Sequence, residues 1–239
     1  MIPDRNNRLL GALSPADRSV VEPHLEPVEA SRGQVLHEQG EPVRHVFFPC
    51  NGMISLVAVM SNGATAEVNS VGAEGMVGAS SALARRPATT RALVQMPGDL
   101  LRMEAGRFRS VLAESPGFRD AVSRWQDAEM SQAQQFGACN LLHLMEARLA
   151  RWILSCHDRV EGDEVQLTQE FLGQMLGVRR TTVTEIAQGL QERDIIRYRR
   201  GAITVLDPGR LEATACECRQ LVRRTIDQLW EQPLLCEPT

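Results

Sequence analysis

Between residues 29 and about 103 the hydrophobic positions come in short runs, several of them alternating with polar ones: 34–37, 45–49, 53–60, 65–70, 92–96 and 100–103. Turn-forming residues separate the runs at Arg32-Gly33, Gln39-Gly40-Glu41-Pro42, Asn51-Gly52, Ser61-Asn62-Gly63 and Pro97-Gly98-Asp99. Many short strands between such turns predict a β-sandwich or jelly roll. Asn62-Gly63 between two alternating runs is the strongest hairpin signal. On the N-terminal side, Leu9, Leu10 and Leu13 precede Ser14-Pro15, which caps and opens a short helix within residues 8–28. After Glu104 the period lengthens. Residues 106–113 predict a short helix, and Ser115-Pro116 opens a long one ending near Cys139. Its apolar positions, Phe118, Val122, Trp125 and Phe136, are mixed with Ala121, Ala128 and Ala133 in one narrow seam, interrupted by Glu129 and Gln132. Such a seam predicts pairing with a second copy of the same helix. Residues 141–160 predict a further helix, with Leu142, Met145, Leu149, Trp152 and Ile153 on a wide apolar face.

The stretch 168–193, TQEFLGQMLGVRRTTVTEIAQGLQER, predicts two short helices joined at Gly177-Val178. Thr168 is placed to cap the first, and Gly177 to end it by taking a positive φ. Leu172, Leu176, Val178, Val183, Ile186 and Leu190 face inward at helical spacing, and Gly173 falls where the helices cross. Arg179, Arg180, Thr181, Thr184, Glu185 and Gln188 remain for solvent, and such polar groups suit base edges and phosphates. This is a helix-turn-helix signature. Residues 195–205 follow as two short strands around a turn, a β-wing carrying Arg197, Arg199 and Arg200. Residues 211–231 predict one more amphipathic helix, followed by a loose tail.

Composition narrows the function. The 239 residues allow one large or two ordinary domains, with the hydrophobic and charged content of a soluble globular protein. The formal charge is −4, so any contact with nucleic acid must come from local clusters such as the wing. Every one of the 26 basic residues is arginine. Residues 1–7 lack the apolar core of a secretory signal, and no run approaches the ~18 apolar residues of a membrane span. A cytoplasmic location without membrane contact is therefore expected. The six cysteines (50, 139, 156, 216, 218, 236) are expected as free thiols in a reducing compartment. Cys216-Glu217-Cys218 is the one close pair, and on a helix residues i and i+2 point apart, so neither a disulfide nor a shared metal is expected. No nucleophile–base pair, metal-spaced ligand set or phosphate-binding glycine loop is visible, which argues against an enzyme and for no metal site.

Three segments carry a family resemblance: GQVLHEQGEPVRHVFFPCNGMISLV (33–57), VGAEGMVG (71–78) and LTQEFLGQMLGVRRTTVTEIAQGLQERDIIRYRRGAITVLD (167–207). Over about residues 10–210 the chain resembles the cyclic-AMP receptor protein / fumarate-nitrate reduction regulator (Crp/Fnr) family of bacterial transcription factors. The resemblance implies an α+β fold: a β-roll sensor domain at 1–114, a long dimerisation helix at 115–139, a winged helix-turn-helix at 140–210 and a helical extension and tail at 211–239. It implies a homodimer on a two-fold-related site in double-stranded DNA, with half-site centres ~34 Å apart. RNA polymerase and an effector of unidentified chemistry are the further implied partners. By position, Arg180, Thr181 and Glu185 match the family's base-reading residues, although Glu185 has an alternative role in an ion pair along its helix. Thr168, Arg179, Thr182, Arg197, Arg199 and Arg200 fall to phosphates.

For the sensor domain, the resemblance places Gly78 at the phosphate-cassette glycine, but Ala79 stands where cyclic-nucleotide binders carry a ribose-binding glutamate. The phosphate-binding arginine position falls near residues 88–89, with Arg85, Arg86 and Arg91 close by. Gly78, Ala79 and Arg91 are the effector-pocket candidates, and tight cyclic AMP binding is not expected. No cysteine precedes Cys50, which argues against the family's N-terminal iron–sulfur cluster. His37, His45, Cys50 and His143 are formal haem ligands for which ordinary structural roles are expected. The cofactor, if any, is unknown at this level.

Overall fold

The computed structural model describes residues 7–160, 162–231 and 234. Residues 1–6, Cys236 and most of the expected loose tail lie outside the described residues.

Of the first helices, α1 (Arg8–Gly11) is capped by Asn7, and α2 (Pro15–Val21) is capped by Ser14 as the sequence predicts. Ser14 Oγ accepts the Asp17 N–H at 3.1 Å, and Pro15 occupies the first helical position. Asn7 is buried; its amide donates to the carbonyls of Pro49 at 2.8 Å and Gly75 at 2.7 Å.

Seven strands follow, with one short helix among them: β1 (Glu26–Ala30), β2 (Val35–His37), β3 (His45–Pro49), β4 (Met53–Val59), β5 (Thr65–Val71), α3 (Ala79–Ala84), β6 (Arg91–Met96) and β7 (Gly98–Glu104). One sheet has the order β1-β7-β3, the other β2-β6-β4-β5. This is the predicted β-roll. β3 reads almost wholly buried, because Val46, Phe47 and Phe48 all pack inward. Asn62-Gly63 forms the expected hairpin: Gly63 has φ +83°, and Asn62 Oδ1 accepts the Ala64 N–H at 3.0 Å. The pattern did not predict β1, which is mostly exposed and carries Pro27, or α3, which is built from small residues.

Helices α4 (Ala105–Glu114) and α5 (Pro116–Leu142) close this region. The seam on α5 differs from the expectation. Phe118, Ala121, Val122, Trp125, Ala128 and Phe136 are all buried by the chain itself. A Cβ on Gly75 would land inside the Trp125 indole, whose N–H donates to the Met76 carbonyl at 2.8 Å. The narrow seam therefore marks attachment to the chain's own core, and the apolar positions of α5 left exposed are Met130, Leu141 and Leu142.

The remaining elements are α6 (Met145–His157), β8 (Glu164–Gln166), α7 (Gln169–Leu176), α8 (Arg180–Glu192), β9 (Ile196–Arg199), β10 (Ala202–Val205), α9 (Pro208–Thr214) and α10 (Cys218–Gln228). Leu142, expected on the apolar face of the helix after α5, is 79% exposed, because the chain breaks at His143-Leu144 and Leu142 still belongs to α5. The single helix expected at 211–231 is two helices. Ala215 is extended, with φ −71° and ψ 154°, and the chain resumes a helix only at Cys218; Cys216 and Cys218 are both buried. On a helix residues i and i+2 point apart, and the break lets Cys216 and Cys218 join one buried cluster with Cys139.

The chain divides into two compact units. One comprises residues 1–56, 69–132 and 224–239; the other comprises 57–68 and 133–223. The tip of the β4–β5 hairpin thus belongs to the second unit, where the buried Glu67 carboxylate accepts the Trp152 indole N–H at 2.9 Å.

Candidate nucleic-acid interface

Thr168 caps α7: its Oγ1 accepts the Phe171 N–H at 3.2 Å. Gly177 ends α7 with φ +68°. Arg148 donates to the Leu176 carbonyl at 3.0 Å, so a cation satisfies one of the last carbonyls of α7. Gly173 sets the approach of α7 to α8. A Cβ there would stand 2.9 Å from the Val178 carbonyl, too close for that backbone to stay in place, and 3.4 Å from the Arg180 nitrogen.

On α8, Val183, Ala187 and Leu190 recur at i, i+4 and i+7 and are fully buried. The opposite face presents Arg180, Thr181, Thr184, Glu185 and Gln188 to solvent, with Arg179 exposed at the cap. Thr184 Oγ1 lies 2.9 Å from Gln169 Oε1 and 3.0 Å from the Arg180 carbonyl, tying α8 to the start of α7. Arg180, Thr181 and Glu185 therefore stand together on the exposed face of a well-fixed helix. Among the described residues Glu185 has no ion-pair partner along α8. Thr182 is half-buried beside this face.

The wing is a three-stranded sheet of order β8-β10-β9; the sequence pattern revealed only two of its strands. β8 is three residues long, too short for an alternation to register. Val165, Ile196, Ile203 and Val205 cover the core side. Arg197 and Arg199 lie opposite Thr204 and Ala202 on the outer side, and both are exposed. Arg200-Gly201 forms the two-residue turn, with φ +50° and +81°. Tyr198 fixes the wing to the helices: its hydroxyl donates to the Leu167 carbonyl at 3.0 Å, and its N–H donates to Gln191 Oε1 at 2.8 Å. Burial pushes its phenol upward, so the hydroxyl stays a donor at neutral pH.

The effector-pocket candidates lie elsewhere. Gly78, with φ +92°, turns the chain into α3, and Ala79 is a buried methyl with no acceptor to offer a ribose. Arg91 opens β6 and is held by Glu38 at 2.8 Å. Of the formal haem ligands, His37 is held neutral by burial, and the Cys50 thiol is pushed up by burial and by Asp99. His143 instead joins Cys139, Cys216 and Cys218, a constellation the sequence reading did not assemble. Two signals for it were legible: Cys139 and His143 stand one helical turn apart, and Cys216 and Cys218 frame a Cys-x-Cys. Within this group the Cys139 and Cys216 sulfurs are 3.5 Å apart. The hydrogen bond between them draws Cys216 down to about 5 and pushes Cys139 up.

A β-roll, a long helix and a winged helix-turn-helix with an exposed polar reading face define a transcription regulator that binds DNA. Two family models match this chain: the cyclic nucleotide-binding domain over residues 27–115 and the Crp-like helix-turn-helix domain over residues 147–214. The chain belongs to the Crp/Fnr family. It is 22% identical over 210 residues to a CRP-like cAMP-activated global transcriptional regulator of Mycobacterium tuberculosis, covering 85% of this chain and 94% of that protein. Solved structures share the fold. A Crp/Fnr-family protein from Eubacterium rectale matches with a TM-score of 0.72 at 17% identity, over 88% of this chain and 99% of the other. FixK2 from Bradyrhizobium japonicum matches at 0.67 and 12%, over 80% and 98%. The c-di-GMP responsive regulator CLP of Xanthomonas campestris matches at 0.67 and 11%, over 80% and 99%. Among the described residues, no helix is long and apolar enough to cross a membrane.

Proposed function

We propose that this regulator reads specific DNA sequences as a homodimer on a pseudo-palindromic operator, with α8 in the major groove. The observation that carries the reading is the trio Arg180, Thr181 and Glu185, exposed together on a helix whose opposite face is fully buried. An arginine suits guanine O6/N7, and a glutamate accepts from cytosine N4. Thr168, Arg179, Thr182, Arg197, Arg199 and Arg200 hold phosphates around that contact, and the local arginines supply the positive field that the acidic chain lacks as a whole. The second copy packs on the part of α5 left uncovered, around Met130 and Leu141. RNA polymerase is the further partner, and the cytoplasm the place of action.

The β-roll candidates Gly78, Ala79 and Arg91 line an effector pocket that does not hold cyclic AMP tightly. Ala79 offers no carboxylate, and Arg91 is engaged by Glu38. Calorimetry with cyclic AMP is expected to show no saturable micromolar binding. A second reading, in which DNA binding is conditional on an effector or on thiol chemistry, is favoured by the gathering of three cysteines and a histidine in the DNA-binding unit.

Genome-wide mapping of the tagged protein tests the main reading. An inverted repeat with half-sites one helical turn apart is expected. Enrichment without any shared sequence would refute specific readout.

A further inference from the structure

Cys139 lies near the end of α5 and His143 just beyond it, one turn further on. Cys216 stands in the break between α9 and α10, and Cys218 at the first position of α10. Their ligand atoms all lie within 4.8 Å of one another, and the three cysteines are buried while the histidine is half-buried. Two pairs are resolved individually: Cys139 Sγ to Cys216 Sγ at 3.5 Å, and Cys218 Sγ to His143 Nδ1 at 3.5 Å. Metal–sulfur bonds of ~2.3 Å and metal–nitrogen bonds of ~2.0–2.1 Å put the corners of a tetrahedron ~3.5–3.8 Å apart; the two resolved pairs have that spacing, and the rest of the set, within 4.8 Å, needs to close by no more than about 1 Å.

The surroundings repeat the features of a built site. His143 turns Nδ1 inward and presents Nε2 to Glu217 Oε2 at 3.3 Å, the carboxylate–imidazole arrangement that fixes the tautomer of a ligating histidine. Gln135 donates to the Cys218 sulfur at 3.1 Å, and the Cys218 backbone N–H reaches the Cys216 sulfur. The guanidinium of Arg151, only 4% exposed, stacks on Phe136 at 4.2 Å and lies within electrostatic reach of Cys139 and Cys216. A divalent cation with three thiolates and a neutral imidazole carries a net negative charge, and a buried arginine offsets it.

We propose that Cys139, His143, Cys216 and Cys218 bind a single divalent cation of borderline-soft character, such as zinc(II), in a closed tetrahedral site. On binding, the three thiols release their protons to solvent, the imidazole coordinates through Nδ1, and no redox change occurs. Four protein donors leave no open position, so the site is structural. An iron–sulfur cluster is a poorer fit, because its ligands divide among two or four irons and cannot all stand within 4.8 Å of one another. The ligand pairs bracket residues 144–215, which contain the whole winged helix-turn-helix. The ion therefore closes that stretch into a loop, restricting the unfolded chain as a cross-link does. The inference does not depend on how the protein reads DNA.

The test uses the full chain, purified anaerobically with reductant, stripped by chelator and titrated with zinc chloride or cobalt chloride. One equivalent of either metal per chain is expected, and cobalt should give the charge-transfer and ligand-field absorption of a tetrahedral thiolate site. Cys218→Ser should abolish the cobalt spectrum, while Cys156→Ser, a buried thiol outside the set, should retain it. Because a cysteine variant can fail to fold, Glu217→Gln provides a milder probe: stoichiometry kept, affinity lowered about 10–100-fold. The proposal is overturned if no equivalent binds, if a Cys139→Ser/Cys216→Ser double variant still binds a full equivalent, or if protein never exposed to oxidant yields a Cys139–Cys216 disulfide in place of metal.

Discussion

The exposed polar face of α8 and the thiol–imidazole group beyond it belong to the same compact unit, yet they are built in opposite ways. On α8 the polar side chains are exposed and lie within nine residues of one another; what the fold supplies is the stiffness of the support. In the thiol group the side chains are turned inward, and 72 residues separate His143 from Cys216; what the fold supplies is their convergence. The comparison teaches that a surface for another molecule can be changed one residue at a time with little effect on stability, whereas a converging buried set cannot.

The largest effect is expected in the support. Gly173→Val should destabilise the second unit by about 3 kcal/mol, as overpacking against backbone has no cheap relief, and should abolish DNA binding to every sequence. Separate melting of the two units, followed by calorimetry, checks it. Next, Trp152→Phe removes a donor from the buried Glu67 carboxylate and should cost about 2 kcal/mol in chemical denaturation without altering base preference. Arg180→Ala should behave in the opposite manner. It should cost about 1–3 kcal/mol of operator binding, relax one base position per half-site and leave the melting temperature unchanged. Uniform weakening on all sequences in a binding-site selection would make Arg180 a phosphate contact. Thr168→Ala should lose about 1 kcal/mol of stability through the cap of α7, measurable by denaturant titration. Arg197→Ala, at the small end, should reduce the salt slope of binding by about one with no change in stability, as read by fluorescence anisotropy across salt concentrations.

What the sequence made legible follows the same division. The helix-turn-helix was readable because its cap, its glycines and its apolar spacing all lie within 168–193; the structure places Thr168, Gly173, Gly177, Leu172, Leu176, Val183 and Leu190 as local chemistry predicts, while Val178 and Ile186 are only half-buried. Strands with alternating or continuous apolar runs were readable too. β1 and β8 were not: one is an exposed strand with a proline, the other only three residues long. The seam on α5 was seen, but a seam says only that something covers it, and the cover is the chain's own core around Gly75 and Met76. The thiol group was hidden by the assumption of a continuous helix through 216–218. The helix breaks at Ala215, and the broken chain brings both cysteines to His143.

The hairpin tip at residues 57–68 has a practical consequence. The DNA-binding unit is not one continuous piece of polypeptide, since Ala66 lies against the turn at Gly177 and Glu67 accepts the Trp152 indole. A fragment starting at residue 133 would carry the whole winged motif but not those partners, and it would show water a tryptophan that the intact protein keeps at 1% exposure. Proteolytic release of such a piece should therefore red-shift the Trp152 fluorescence and leave a product that aggregates, unless a peptide spanning the hairpin is added back.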